Sequence, residues 1–498
     1  PRAIRDVYKR QVLDFAIVQQ QGANGNEVAT LGTEQPIELL VLIKMGDVDR
    51  CSYMLAEVNV EGDATRLGRL LDLMTYHKPT TAANKPRLVL PKPQHTAIVA
   101  FDDALVVTSI GQQEGDSPEA QLHASYIQAL TFEDTIPLRQ DRGLAVLGAS
   151  EEDSRGSKAS SIAFVQGAGL VRLTAEDPEK AEQMSRLPVK SKMEQAVFYG
   201  SLQENNILDF GSQKEIEYSP NDIEGAALAI SDEILRSTSK HISTDPTSIE
   251  AQLEKKAKAL RALVSHVRQN YPTLSQAALW HMLWDAERVA AAQVLWRTFE
   301  EHVAAASKKK RVGTTLDEVC LTLQSQYRKT EEGAKSSDDV VNWFFVEQLN
   351  HLERVFVIAK EFIKSLGPDD VDSETKLRLV FEANDIWTKG LEAVFRFRAD
   401  NASAYGILPE VIEDGVLSDA TEYRELPEFW TSTVSMLKSA DEMCKLSRQF
   451  ANTEWDNVSD ADTQDRIQPF VEHICTENPD LIQLLCNIYQ EPVSYTHL

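Results

Sequence analysis

Ser161–Thr174, SIAFVQGAGLVRLT, and Lys192–Phe210, KMEQAVFYGSLQENNILDF, stand on either side of the switch that decides this fold. In the first, apolar runs of strand length flank the turn residues Gly167-Ala168-Gly169. The second opens the region from Lys190 onward that is read as helical. Near Asp177 the short alternating runs stop and apolar stripes at helical spacing begin, which predicts a β-module joined to an α-helical stack.

Upstream of the switch, strand candidates rich in Val, Ile and Leu lie at Val12–Val18, Ile37–Met45, Cys51–Val60, Arg87–Leu90, Ala97–Phe101, Ala104–Ile110, Ser125–Phe132, Leu144–Gly148, Ser161–Val165 and Leu170–Leu173. Asp102-Asp103 and Gly167-Ala168-Gly169 are hairpin signals, so the pairing is read as antiparallel and meander-like. Many short strands without long helices between them fit a sandwich, a barrel or a propeller, and periodicity does not choose among these. As a propeller, about ten strands would supply two to three four-stranded blades. A sheet cut from a closed propeller would leave strand edges unpaired, so the expectation is a protein that extends further upstream.

Downstream, the region from Lys190 onward is read as helical through His241 and beyond. Capping-box patterns at Thr247-x-x-Glu250, Thr273-x-x-Gln276 and Thr315-x-x-Glu318 mark helix starts, because a hydroxyl and a carboxyl or amide three residues apart satisfy free amide groups. The clearest stripe, Phe345, Leu349, Leu352, Phe356, Ala359, Ile363 and Leu366, steps by four and three so that all its members share one face. Gly367-Pro368 then stops the helix. Helices of roughly 20 to 30 residues would be about 30 to 45 Å long, a length suited to a solenoid-like rod. There is no strict sequence period, so the stack is irregular.

Lys and Arg number 51 against 77 Asp and Glu, a formal charge of −26, and the pI is about 4.9. That surface would repel phosphate backbones and anionic lipid heads, which argues against direct nucleic-acid binding. The cysteines Cys51, Cys320, Cys444, Cys475 and Cys486 are odd in number and never in C-x-x-C spacing, which fits a reducing compartment better than a disulfide framework or zinc cage. There is no apolar run near the roughly 18 residues of a spanning helix and no charged-then-apolar leader, so the expectation is a soluble intracellular chain. Residues 1–11 and 493–498 resemble translated adapter sequence and are set aside as non-native ends. The expected organisation is a β part over 12–176, a linker over 177–189 and a helical stack over 190–492.

The common phosphate-loop, dinucleotide, zinc-protease and nucleophile-elbow patterns are absent, so no catalytic, cofactor-binding or metal-ligating residue is assigned. His281, between Trp280 and Trp284, reads as part of a helix core rather than an aromatic-lined site. Lys308-Lys309-Lys310-Arg311 reads as a solvated helix end whose cations complement the helix dipole, ahead of an anion site or import signal. Phe395-Arg396-Phe397-Arg398 mixes rings and cations as base-stacking sites do, yet its phase is that of a helix core. Leu67, Leu70, Leu71 and Met74 recur at helical spacing beside Arg66 and Arg69, but Ala64–His77 carries little positive charge, and a connector or strand is preferred to a membrane-surface helix. The Asn401 and Asn457 sequons carry no weight without a secretory leader, and Trp455-Asp456 lies in the helical part rather than in a WD repeat.

A specific resemblance runs through the same segments. DTIPLRQDRGLAVLGAS, SIAFVQGAGLVRLT and KMEQAVFYGSLQENNILDF, followed by DIEGAALAISDEILRSTSKHI, LEKKAKALRALVSHV, WFFVEQLNHLERVFVIAKEFI and ELPEFWTSTVSML, are similar in order and apolar pattern to the nucleoporin 133 family, related to nucleoporin 155, in a fungal form. The similarity covers nearly all of Val12–Pro492. It implies the C-terminal blades of an incomplete seven-bladed β-propeller followed by the opening of an α-solenoid, in the Y-shaped outer-ring scaffold of the nuclear pore. The implied role supports pore assembly, messenger-RNA export and protein transport at the nuclear envelope. The implied partners are other Y-complex nucleoporins, with the contact to the nucleoporin 107/84 class beyond Pro492 and the membrane-sensing loop on an earlier blade. No site residue and no cofactor is carried over. Phe210-Gly211 is the single Phe-Gly pair, so the chain is not read as a mesh-forming nucleoporin. The alternatives are a propeller-plus-solenoid subunit of a vesicle coat or tethering complex, and an enzyme with its active site on missing upstream blades.

Overall fold

The structure, a computed structural model, describes residues 10–18, 37–47, 50–79, 85–110, 127–129, 132–152, 159–175, 189–202, 206–209, 218–242, 248–272, 274–308, 313–330, 339–367, 371–407, 433–476 and 484. The chain forms two compact units, Pro1–Glu217 and Tyr218–Leu498. It combines antiparallel sheets with helices, as the change of rhythm predicts.

In the first unit β1 (Arg10–Val18), β2 (Ile37–Asp47), β3 (Arg50–Glu61) and β4 (Ala64–Leu73) pair antiparallel in sequence order. The second sheet holds β5 (Arg87–Val89), β6 (Thr96–Ala100), β7 (Ala104–Ser109) and β9 (Glu133–Pro137). Between β7 and β9 the chain leaves this sheet, and β8 (Ile127–Ala129) joins the outer edge of β4 in parallel. The third sheet is β10 (Ala145–Glu151), β11 (Ala159–Gln166) and β12 (Gly169–Ala175). Asp102-Asp103 turns β6 into β7, with the Phe101 amide donating to Ala104 O at 2.9 Å. Gly167 and Gly169, at φ +82° and +86°, turn β11 into β12, a conformation glycine adopts without a Cβ penalty.

Within Ala64–His77 the residues Ala64–Leu73 form strand β4, and a bulge explains the helical spacing from Leu67 to Leu71. Ala56 pairs with Leu70 and Val58 with Leu67, so Gly68 and Arg69 both face Glu57. The extra residue shifts the period of two, leaving Leu67 and Leu70 three apart on one face. A Cβ on Gly68 would sit 3.1 Å from Glu57 Cβ, and Arg69 pairs with the Glu57 carboxylate across the bulge.

Two apolar layers hold the sheets together. Leu40, Leu42, Tyr53, Leu55, Leu71 and Leu73 of the first sheet pack against Leu88, Val99 and Val106 of the second. On the second sheet's other face, Ala100 and Leu105 meet Val146, Ala163 and Val165. Strand β6 is buried along its whole length because both its faces are covered, and its sequence TAIVA is correspondingly a nearly continuous apolar run. Polar ties join the first two sheets at their margin. The Glu133 carboxylate accepts from the Met74 and Thr75 amides at 2.9 and 2.8 Å, and Tyr76, stacked on Phe101, donates to Asp103 at 2.7 Å.

Lys192–Phe210 departs from the expected long helix. Helix α1 (Val189–Glu194) passes into a π turn over Gln195–Ser201, and Ile207–Asp209 is extended instead. There the Ile207 carbonyl accepts from Arg139 N at 3.0 Å and the Asp209 amide donates to Pro137 O at 2.9 Å. Pairing with the chain beyond β9 competes with helix continuation, and Lys192 is tied to Asp134 of β9.

The second unit contains α2 (Pro220–Leu235), α3 (Ile249–Asn270), α4 (Gln276–Lys308), α5 (Thr315–Thr330), α6 (Val340–Glu347), α7 (Leu352–Ser365), α8 (Ser373–Asn401) and α9 (Thr433–Asn457), with a further helix, α10, over 461–476. Helix α4 packs against α2, α3 and α8. The caps fall one residue from the predicted boxes or on a neighbouring hydroxyl. Ser248 Oγ accepts from Ala251 N at 3.4 Å and Ser275 Oγ from Ala278 N at 3.2 Å, while Thr247 and Thr273 lie outside the described residues. Thr314 and Asp317 form the third box, because the Thr315 amide and hydroxyl are taken by Glu382 and the Leu379 carbonyl of α8.

The stripe from Phe345 to Ile363 is buried as one face, but it is not one helix. Gln348, at φ −123° and ψ 20°, ends α6, and a 3₁₀ turn over Leu349–His351 intervenes before α7. At the break Lys256 Nζ and Ser237 Oγ donate to Val346 O at 2.6 and 2.8 Å, the acceptor that a continuous helix offers to the amide four residues on.

Candidate functional site

Two features qualify as functional surfaces or clusters: an apolar face of the first sheet and a set of buried ion pairs in the helical unit. On the first sheet, strand alternation sends Leu40, Leu42, Tyr53 and Leu55 inward and the intervening residues outward. Register then aligns outward residues across four strands: Ile17, Leu39, Val58 and Leu67 in one row, and Phe15, Val41, Ala56 and Leu70 in the next. Phe15, Ile17 and Leu67 are 58%, 59% and 59% exposed, and Val12 is 62% exposed beside them. Among the described residues this face has an exposed apolar rim around buried Met54 and Ala56, whereas the opposite face buries Leu40, Leu42, Tyr53, Leu55, Leu71 and Leu73.

In the helical unit several buried charges tie one helix to another, while Asp285–Arg288 and Asp385–Lys389 pair within a helix. Arg398 of α8 donates from Nε and Nη2 to the Glu287 carboxylate of α4 at 2.7 and 2.8 Å, with its guanidinium 5.7 Å from the centre of the Trp280 ring. Asp285 of α4 accepts from Ser231 Oγ of α2 at 2.6 Å and from Arg288 at 2.7 Å, and Arg288 lies 3.9 Å from Glu353 of α7. Lys376 of α8 approaches Glu454 of α9 at 3.7 Å. Asp385 of α8 faces His302 of α4 at 3.1 Å, Lys389 at 3.0 Å and His473 of α10 at 3.4 Å. Burial pushes the Asp385 carboxyl up, but the hydrogen bonds from His302 and His473 and the Lys389 charge outweigh it, holding the group well below the usual carboxylate range. Asp285, Glu287 and Asp385 accept hydrogen bonds from neighbouring side chains, while Glu353 and Glu454 lie 3.9 and 3.7 Å from their cations, and the pairs that span two helices hold them together.

The residues singled out by sequence fit this picture. Trp280 and Trp284 are buried with rings 5.8 Å apart, and His281 beside them is half-buried on α4. Phe395 is buried, Arg396 pairs with Glu392 at the surface, and Arg398 is the buried partner of Glu287, so the Phe-Arg alternation is one helix showing inner and outer faces. Residues 309–311 of the basic cluster and the Phe210-Gly211 pair lie outside the described residues. Sequence reasoning missed the buried charges as a set. Their signal was present as charged residues at core phase, such as Lys256 between Leu253 and Leu260. Among the described residues, no group of three or more acidic, His or Cys side chains is placed to hold a metal ion, and no helix is long and apolar enough to cross a membrane.

The chain thus joins antiparallel sheets to helices tied to one another by buried ion pairs, a mixed β and α class. Comparison with known proteins shows what the chain is similar to. Residues 281–467, from α4 into α10, match the family model described as non-repetitive/WGA-negative nucleoporin C-terminal. The chain is 29% identical over 464 residues to Nucleoporin NUP133 of Chaetomium thermophilum, a match covering 87% of this chain and 33% of that protein. It is 23% identical over 282 residues to Nucleoporin nup132 of Schizosaccharomyces pombe, covering 56% of this chain and 22% of that protein. The chain is thus similar to NUP133-type nucleoporins over most of its own length. It spans about a third or less of the length of these relatives, and their nucleoporin names lend no support to the vesicle-coat or tethering alternative.

Proposed function

We propose that this chain is part of a non-enzymatic structural scaffold component of the nuclear pore complex, held at the nuclear envelope by contacts with other outer-ring nucleoporins. The observation that carries this reading is the match to a nucleoporin across both units, since 87% of the chain aligns to one relative. In this reading residues 12–176 are the last blades of a β-propeller, 177–189 a linker and 190–492 the opening of an α-solenoid. Face-to-face packing of three sheets in sequence order supports the propeller, because blades stack in this way and each covers its predecessor. The apolar outer face of β1–β4 is then where a preceding blade would lie, and the ion-paired helices supply a rod of defined shape. Such a scaffold supports messenger-RNA export and protein transport by shaping the pore.

Affinity purification of the tagged full-length endogenous protein, followed by mass spectrometry of the co-purifying chains, tests the reading. Recovery of outer-ring nucleoporins is the expected result. Recovery of coat or tethering subunits without nucleoporins would overturn it.

A further inference from the structure

Lys256 is fully buried in α3, and its ammonium serves backbone rather than carboxylate acceptors. Nζ donates to Leu235 O and to Val346 O, each at 2.6 Å. Leu235 is the last residue of α2 and Val346 lies in the last turn of α6, so the cation sits where two helix C-termini, each carrying partial negative charge, converge. Ser237, held at φ +55° just past the end of α2, brings Oγ to the same Val346 carbonyl at 2.8 Å. Directly after this doubly occupied acceptor the chain leaves helical geometry at Gln348 and makes its 3₁₀ turn. The local sequence FFVEQLNHLERVF contains no Pro or Gly to account for a break, and its apolar stripe would suit a single helix from Val340 to Ser365.

We propose that Lys256 and Ser237 are positioning residues that divide one helix-competent segment into α6 and α7 by capturing the Val346 carbonyl. The division has a consequence for shape. Helix α6 packs against α3 and α5, whereas α7 packs against α5, α8 and α9. One stripe therefore serves two layers of the stack, and the direction of α7, on which α8 and α9 rest, is set by two side chains about a hundred residues earlier in the chain. In a protein whose output is its shape, such residues act as the counterpart of positioning groups in an enzyme. The inference rests on the helical unit alone and does not depend on which assembly the protein joins.

Hydrogen exchange read by mass spectrometry on the whole chain tests it, using peptides that span 346–352. Lys256→Met combined with Ser237→Ala frees the Val346 carbonyl for the Asn350 amide, and exchange there is expected to slow by about tenfold. Unchanged exchange in a chain that keeps its helical circular dichroism would overturn the proposal. Lys256→Gln retains an uncharged donor, so with Ser237 intact it is expected to exchange as the unaltered chain does. If it instead matches Lys256→Met, carbonyl capture is not the cause and the proposal fails. Should the double substitution unfold the stack, Ser237→Ala alone carries the test: partial slowing supports capture, and no slowing overturns it.

Discussion

The two units place charge in opposite ways. The sheets bury Leu40, Leu42, Leu55, Val99 and Val106 and keep most of their ion pairs at margins, with Lys192–Asp134 as a buried exception. Helices α4 and α8 bury Asp285, Glu287, Arg288, Arg378, Glu382, Asp385 and Arg398 among their apolar side chains. The difference follows from where each element spends its backbone hydrogen bonds. A strand bonds sideways to its neighbour, so the ladder fixes register and the side chains need only pack. A helix satisfies its backbone internally and is free to slide or rotate along its partner, so something in the side chains has to fix the axial register. Paired charges between α4 and α8, and between α8 and α9, are placed to do so, although their net contribution to stability need not be large.

The comparison breaks first at its strongest pair. Arg398→Ala leaves the fully buried Glu287 carboxylate without its guanidinium and is expected to cost the helical unit ~3–5 kcal/mol. All seven tryptophans lie in that unit, so denaturant unfolding followed by their fluorescence reads it selectively. A loss no larger than that of a surface substitution would show that the buried pairs are not register pegs. The matching test in the sheets is Leu42→Ala, expected to cost ~2–5 kcal/mol through transfer and cavity terms while leaving the fluorescence transition in place. A shift of both transitions together would mean that the units do not unfold independently.

A smaller effect separates burial of charge from burial of apolar surface. Desolvation pulls the Lys256 amine down to about 7, with the Glu347 charge opposing, whereas the unfolded chain titrates near the ordinary 10.5. Between those values the unfolded state binds the extra proton, so this group makes helical-unit stability rise with pH, by up to ~1.4 kcal/mol per unit, and its contribution flattens below pH 7. Denaturation midpoints from pH 7 to 10 for the unaltered chain and Lys256→Met check the sign. Parallel pH dependences would contradict it. The smallest effect is expected at the uncovered sheet face, where Phe15→Ser and Ile17→Ser should change this chain's stability by no more than ~0.5 kcal/mol each while reducing self-association in sedimentation. In the full-length protein the same substitutions should cost ~2 kcal/mol or more if a preceding sheet covers the face.

Much of the sheet unit was legible in the sequence, because a half-buried strand writes its two faces as alternation. Each predicted strand segment meets an observed strand, although Ser125–Phe132 contracts to Ile127–Ala129 within the described residues, and β9, whose EDTIP has too little apolar character to stand out, was not among them. The helix caps were nearly legible. Neighbouring hydroxyls compete for one capping position, and at Thr314 and Thr315 the choice was made by Glu382 on another helix. The apolar face of β1–β4 was hidden by the bulge at Glu57, which makes a strand look helical in phase over Leu67–Leu71.

By itself the sequence determined the order of a sheet part and a helical part, the faces that turn inward and the stripe from Phe345 to Ile363. These follow from local periodicity, a property of neighbours along the chain. Tertiary structure alone decided which charges pair in the interior, that Gly68 and Arg69 share one partner, and that the stripe breaks at Gln348. Each of those depends on a group distant in sequence meeting a backbone or carboxylate acceptor. Lys256 and Val346 are 90 residues apart, and only the folded chain brings the ammonium to that carbonyl.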